Sequence, residues 1–321
     1  MTPDLLRTRA RGCLLGLAAG DALGRPAENL TPEEITRRWG RLTEIEPGSG
    51  GTDDTEYTIF AATLLSRHGH GLTSADVARE YRTRVIPLMD GPMRGAGFSE
   101  LGTVRALLRG LNPPMTGLTH SHGWSDGLAM RAAPYGVFAA GDPSEAARLT
   151  AEDGTVSHNG EGVYGGQAVA AAVAVAMTGA PPPEVAHAAL AAIPEDSWTA
   201  RNLRAAMSAQ DIGALYEAVV VRDYPWTDLA PEAVALAFAA YLLGEGDVEE
   251  SVVIGANFGR DADTVAAIAG ALAGAGRGEG GVPERWAKEI GPVAGRCLPG
   301  VKGLHVLDVA TELAEAAARG R

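Results

Sequence analysis

An all-α fold follows from three features of this 321-residue sequence: dense helix-start signals, alanine-rich segments with apolar residues three and four apart, and almost no strand signal. Thr2-Pro3 and Thr31-Pro32 each place a hydroxyl at an N-cap and a proline at the first helical position, where the missing N–H has no partner to lose. Thr31 to Glu34 also fits a capping box, and Asp142-Pro143-Ser144-Glu145 gives the same arrangement with Asp as the cap. Helical periodicity recurs at 184–193, 200–209, 231–243, 264–275 and 304–318. The best β-branched run, Val219-Val220-Val221, only continues a helical pattern from Ile212, and aromatics are 5% of the chain, unlike an all-β protein.

Abundant alanine lets helix backbones approach closely, so many helices can crowd around one centre. No Pro/Ser-rich linker divides the chain and no fixed-period repeat appears, so a single domain over 1–321 is expected. The Gly/Glu segment 274–282 reads as a surface loop. Lys plus Arg number 27 against 40 Asp plus Glu, a net charge of −13, which disfavours a nucleic-acid partner. Residues 1–11 mix charges of both signs, unlike a secretory signal, and Val163 to Gly179 is short and alanine-rich for a membrane span. Two cysteines, Cys13 and Cys297, cannot build a disulfide framework or a four-sulfur zinc site. Reduced thiols in a cytoplasmic protein, with no membrane partner, are the expectation.

Three segments put carboxylates where a helix-forming chain has little structural use for them: Gly20-Asp21-Ala22-Leu23-Gly24 with Glu28, Gly50-Gly51-Thr52-Asp53-Asp54-Thr55-Glu56, and Gly259-Arg260-Asp261-Ala262-Asp263-Thr264. From mid-helix, residues one or two apart diverge by roughly 100° or 200° and could not share a target. From a loop just becoming a helix they can, and the preceding glycines supply that loop. One such side chain is explained as an N-cap; each cluster supplies two Asp with threonine beside them. If the clusters converge, like charges force protonation or demand cations, and hard oxygen ligands select Mg²⁺, Mn²⁺ or Ca²⁺ over zinc. Spacing alone leaves open whether positions 53 and 261 meet.

These segments resemble the ADP-ribosylglycohydrolase family, with its early GDALG…E, its T-D-D-T box and its late G-x-D-x-D-T before an alanine-rich helix. Ala129-Met130-Arg131-Ala132-Ala133-Pro134 resembles the family's A-M-R-x-x-P segment, and Ser157-His158 its S-H segment. Five motifs in order span most of the chain. The resemblance implies a compact orthogonal helical bundle and two Mg²⁺ or Mn²⁺ ions held by Thr52, Asp53, Asp54, Asp261, Asp263 and Thr264, with Glu28 beside them. It implies catalytic roles among Glu28, Asp53, Asp54 and Asp261. It also implies an ADP-ribose-binding loop at Gly123-Trp124-Ser125-Asp126-Gly127, with Trp124 able to stack on a ring, Met130 following, and His158 near the distal ribose or diphosphate. Two residues depart from the pattern: Asp126 stands where Asn is usual, and Arg260 where Gly is commoner. Arg260 is thereby expected to border the pocket and is a candidate partner for Asp126.

Other polar residues have simpler readings. Asp21 suits a bond to nearby backbone or Arg, while the pairs His68/His70 and His120/His122 lack further metal-ligand spacing. Gly274 to Gly281 follows a helix and not a strand, so it is no phosphate loop. Cys13 faces an apolar helix, and Tyr164 and Trp198 read as core. Two hard cations at the cluster would fix a ribose cis-diol and lower the pKa of attacking water, while carboxylates stabilise positive charge at the anomeric carbon. The expected function is metal-dependent cleavage of the glycosidic bond at the distal ribose of an ADP-ribosylated protein side chain such as arginine or serine. The alternatives are hydrolysis of a free ADP-ribosyl, ribosyl or nucleotide-like conjugate, favoured by Asp126 and Arg260, and an inactive binding relative.

Overall fold

The N-cap signals open helices where the sequence places them. In the computed structural model, which describes residues 1–89, 97–209, 211–222 and 224–320, Thr2 caps α1 (Pro3–Gly24), and Thr31 closes a full capping box on α2 (Pro32–Trp39). Helices α3 (Asp53–His68), α4 (Ser74–Glu80), α5 (Phe98–Leu108), α6 (Met115–Leu118) and α7 (Ala133–Phe138) follow. Asp142 caps α8 (Pro143–Ser157) by accepting from the Glu145 N–H at 3.0 Å. This cap is one-sided, because the Glu145 carboxylate turns to Arg148 and His70. The alanine-rich segments become α9 (Glu161–Ala176), α10 (Pro182–Ala191), α11 (Trp198–Ser208), α12 (Ile212–Val219) and α13 (Ala230–Leu243). After them come α14 (Val248–Asn257), α15 (Ala262–Arg277), α16 (Glu284–Ala287) and α17 (Val306–Arg319).

Among the described residues there is no strand, only an isolated bridge between Ser125 and Leu229. Among the described residues, no helix is long and apolar enough to cross a membrane. Segment 274–282 is less a loop than expected, since α15 runs to Arg277 and a short 3-10 turn, Glu279–Gly281, follows. Glu279 there takes a bidentate bond from Arg11 of α1, a tether that sequence distance hid. Cys13 is buried and outside any disulfide. The histidine pairs are accounted for structurally: His68 meets Glu80, His70 meets Glu145, and His120 bonds the Ser157 carbonyl.

The centre of the fold is α1 lying antiparallel against α15. Gly12, Gly16, Gly20 and Gly24, four residues apart, stand on one line of α1 and face Gly274, Gly270, Ala266 and Ala262 of α15. A Cβ on any of those four glycines would run into the opposing backbone carbonyl, and the same holds in reverse for Gly270 and Gly274. The two backbones are in contact, which only residues without a side chain permit. Buried alanines and leucines on both helices, with α14, α13 and α17 outside them, extend one hydrophobic cluster around this seam.

Gly16→Ala tests the seam, because propensity and packing predict opposite signs. Alanine is favoured over glycine in a helix by about 1 kcal/mol, whereas overpacking costs about 1–3 kcal/mol. Backbone cannot yield as a side chain can, so the packing cost prevails and urea denaturation is expected to show a net loss of about 1 kcal/mol. Equal or greater stability in the variant would contradict the packing.

Candidate active site

Two helix N-termini face each other across one cavity of about 580 Å³. Thr52 is the N-cap of α3, so Asp53 and Asp54 stand in its first turn. Asp261 is the N-cap of α15 and Asp263 stands in its first turn, after Gly259 and Arg260, both with left-handed φ (66° and 59°). The Thr264 hydroxyl donates to Asp54 Oδ1 at 3.2 Å, joining two clusters 210 residues apart. A loop becoming a helix thus aims both acidic pairs at one place, a meeting that spacing alone left open.

Two further carboxylates hold this arrangement, and Asp21 takes the backbone bonds that its sequence setting suggests. Asp21, buried in α1, accepts from the Thr52 N–H at 2.9 Å, the Thr55 N–H at 3.1 Å and the Thr55 hydroxyl. It thereby ties the start of α3 to the glycine seam, and Thr55 turns toward it. Glu56 accepts from the backbone N–H groups of Arg296, Cys297 and Leu298, each at 2.8 Å, and fixes that segment at the cavity edge.

The acidic floor is electrostatically expensive. Asp54, Asp126, Asp261 and Asp263 are no more than 8% exposed. Burial first, and neighbouring carboxylates second, push Asp53, Asp54, Asp261 and Asp263 well above the usual carboxylate range. Asp126 is raised in the same way by burial and by Asp228, and it shares a hydrogen bond with Asp261. Two carboxylates can sit so close only with a proton or a cation between them. Asp54 Oδ2, Asp126 Oδ2 and Asp263 Oδ1 are buried with no hydrogen-bond partner. Buried polar atoms are nearly always satisfied, so these three oxygens mark where a ligand belongs. Among the described residues, no three acidic, His or Cys side chains already surround a single point as a finished metal cage. The donors are hard oxygens, the type that suits Mg²⁺ or Mn²⁺.

One wall of the cavity is a closed ring of hydrogen bonds. Arg131 Nη1 donates to Glu100 Oε1 and Arg131 Nη2 to Ser157 Oγ, at 2.8 and 2.7 Å. Ser157 Oγ meets His158 Nδ1 (2.7 Å), His158 Nε2 meets Ser125 Oγ (3.2 Å), Ser125 donates to Ser99 (3.1 Å), and Ser99 to Glu100 Oε2 (2.7 Å). Asp153 takes two further bonds from Arg131. All seven residues are buried. Aromatic rings also border the cavity: Phe98 stacks on His122 at 4.8 Å and meets Trp226 edge-on at 4.8 Å.

Of the residues singled out from sequence, Glu28, Thr52, Asp53, Asp54, Ser125, Asp126, Gly127, Met130, Asp261, Asp263 and Thr264 line this cavity. Glu28 stands at its mouth, with Asn29 Nδ2 bonded to its carboxylate at 3.0 Å. Gly123, Trp124, His158 and Arg260 are not among the described lining residues. Trp124 packs behind the rim, on His122 and Tyr224, and Trp226 takes the place facing the cavity. Gly123 is packed against Asn159, whose side chain occupies the space a Cβ would need. His158 orients Ser125 and does not reach the cavity itself. The expected Arg260–Asp126 pair is absent, because Arg260 turns away to Glu232, at 2.5 Å from Nε to Oε1. Sequence reading also missed Phe98, Ser99, Glu100, Trp226 and Asp228, which line the cavity. Only the scarcity of aromatics could have drawn notice to Phe98 and Trp226.

An all-α chain that gathers two aspartate-bearing helix starts around one polar cavity belongs to a recognisable class of hydrolase, one that acts on ADP-ribosyl conjugates. The ADP-ribosylglycohydrolase family model matches residues 2–320, and the chain belongs to that family. An uncharacterized protein of Archaeoglobus fulgidus is 30% identical over 292 residues, 88% of this chain and 91% of that one. The ADP-ribosylarginine hydrolase of Pseudomonas putida is 26% identical over 307 residues, 90% of this chain and 76% of its own. A solved structure described as an ADP-ribosylglycohydrolase-related protein complex superposes with a TM-score of 0.68 at 27% identity, over 98% of this chain and 99% of that one.

Burial, with Arg131 nearby, holds His158 well below the ordinary imidazole range, so it stays neutral in the fold. The unfolded chain gains a proton near pH 6.5 that the folded chain refuses, so below that pH this group lowers stability by about 1.4 kcal/mol per pH unit. NMR titration is expected to show the His158 ring neutral from pH 8 down to 5.5. A midpoint near 6.5 would refute its burial in the ring.

Proposed function

We propose that this chain is a divalent-cation-dependent hydrolase cleaving the glycosidic bond at the distal ribose of an ADP-ribosylated protein side chain. The observation that carries the reading is the set of three unpartnered buried carboxylate oxygens on Asp54, Asp126 and Asp263, all residues that line the cavity. Thr52, Asp53, Asp54, Asp261, Asp263 and Thr264 would hold two Mg²⁺ or Mn²⁺ ions there. Bound, such ions supply Lewis acidity and lower the pKa of water. The chain's own residues supply the rest. Ser99, Ser125 and Glu100 orient sugar hydroxyls, and the carboxylate floor stabilises positive charge developing at the anomeric carbon. Glu28 at the mouth stands exposed enough to exchange a proton with solvent and serves as the proton acceptor. Kinship to an ADP-ribosylarginine hydrolase supports a guanidinium leaving group, and so does the local negative charge of Asp126 and Asp228. That same charge favours a second reading, hydrolysis of a free ADP-ribosyl or ribosyl conjugate. Buried Cys13, outside any disulfide, suits a cytoplasmic setting.

The deciding experiment compares release of ADP-ribose from arginine-modified protein, serine-modified protein and free conjugates, with Mg²⁺, with Mn²⁺ and with chelator. Activity on modified arginine that chelator abolishes is expected; full activity in chelator would remove the metal. Asp261→Asn is expected to slow turnover at least about 10²-fold, a loss of about 3 kcal/mol of transition-state stabilisation. Unchanged turnover with unchanged metal content would exclude Asp261 from the chemistry. Asp126→Asn removes a negative charge while keeping a group able to bond Asp261, so calorimetry at fixed Mg²⁺ is expected to show ADP-ribose binding tighter by about 1 kcal/mol. Equal or weaker binding would mean that Asp126 does not set the pocket against phosphate.

A further inference from the structure

Arg260 occupies a position that physics reserves for glycine. Its φ of 59° lies in the left-handed region, which a side chain enters at a cost. Its backbone is locked there: the Arg260 N–H donates to the Leu30 carbonyl at 2.9 Å, and the Arg260 carbonyl accepts from the Asn29 N–H at 2.7 Å. The side chain leaves the cavity and forks onto Glu232, with Nε on Oε1 at 2.5 Å and Nη2 on Oε2 at 3.2 Å. Glu232 is fully buried on α13. Its Oε2 also accepts from the Val221 N–H at 2.9 Å, and Arg260 Nη2 reaches the Trp226 carbonyl at 3.5 Å. One ion pair therefore holds both the start of the segment, at Val221, and the carbonyl of Trp226.

That segment forms a wall of the cavity through Pro225, Trp226, Thr227 and Asp228. Its other ties run to the loops on either side. The Thr227 hydroxyl donates to Asn29 Oδ1 at 2.8 Å, and the Asp228 carbonyl accepts from the Asp126 N–H at 3.0 Å. Pro225 to Asp228 lie between helices: α12 ends at Val219 and α13 begins at Ala230. We propose that the Arg260–Glu232 pair is a clasp that positions the Trp226 wall against the acidic helix start of α15, so that Arg260 determines substrate affinity without touching substrate. Arg260 is a positioning residue in this account, lodged beside Asp261 in the chain yet acting through α13. A glycine in its place would free the backbone and release the wall.

The role of the wall in binding rests on the cavity being the ADP-ribose site; the clasp itself does not. Two variants break it from opposite sides. Arg260→Gly removes the fork and suits the left-handed backbone, while Glu232→Gln weakens the pair from α13 and leaves 259–261 intact. Hydrogen exchange is expected to quicken in both at the Val221 amide, whose N–H the pair holds, with the first turn of α3 unchanged. Calorimetry with ADP-ribose at fixed Mg²⁺ is expected to show affinity weakened about tenfold in each. Unaltered exchange in both variants would overturn the clasp. So would an affinity loss confined to Arg260→Gly, since that would place the effect in the 259–261 loop. If the parent protein fails to bind ADP-ribose, the functional reading falls, and the exchange rates alone decide the clasp.

Discussion

Contact between the backbones of α1 and α15 is the constraint on which the rest of the structure depends. Four glycines at four-residue spacing bring one helix onto the other with no side chain between them. α15 begins with Asp261 and Asp263; α1 carries Asp21, whose carboxylate gathers the N–H groups of Thr52 and Thr55 and so fixes the start of α3. This backbone contact thus determines the separation of the two acidic helix starts. A side chain in the seam would push α1 from α15 and carry Asp21, with α3, away from Asp261.

The site works against the stability of the fold that holds it. Desolvated carboxylates crowd one another, and their raised proton affinities record the energy of that crowding. Surrounding them is a scaffold with little freedom to relax: helix caps, the three N–H bonds to Glu56, and the buried Arg131 network. Rigid backbone placement is what allows the unpartnered oxygens of Asp54, Asp126 and Asp263 to remain aimed at one space.

Sequence carried the helices well because their signals are local. Threonine or aspartate before proline, alanine-rich periodicity and the scarcity of strand formers each act within a few residues. The acidic clusters were legible for the same reason, since a glycine loop running into a helix start dictates where both aspartates aim. What sequence could not give was partnership across distance. Asp21 proved to be an anchor for backbone 31 residues away, and Glu56 for backbone 240 residues away. Trp124 looked like the ring that faces the cavity because of its place in the 123–127 loop, yet Trp226, from an unremarked stretch, lines it. Arg260 looked like a neighbour of Asp126; a left-handed backbone turns its side chain the other way, to an ion partner on α13.

The ring through Arg131, Ser157, His158, Ser125, Ser99 and Glu100 has a polarity. Arg131 can only donate and ionised Glu100 can only accept. With a neutral imidazole between them, Ser157 donates to Nδ1, Nε2–H to Ser125, Ser125 to Ser99, and Ser99 to Glu100. Every hydroxyl hydrogen is therefore already spoken for, and what Ser125, Ser99 and Glu100 show to the cavity is lone pairs. A surface that offers only acceptors greets alcohols, which bring their own hydrogens, and repels phosphate oxygens, which bring none. A wall of this kind would sort the two ends of a nucleotide sugar by the direction of its hydrogen bonds, with the Glu100 carboxylate reinforcing the choice.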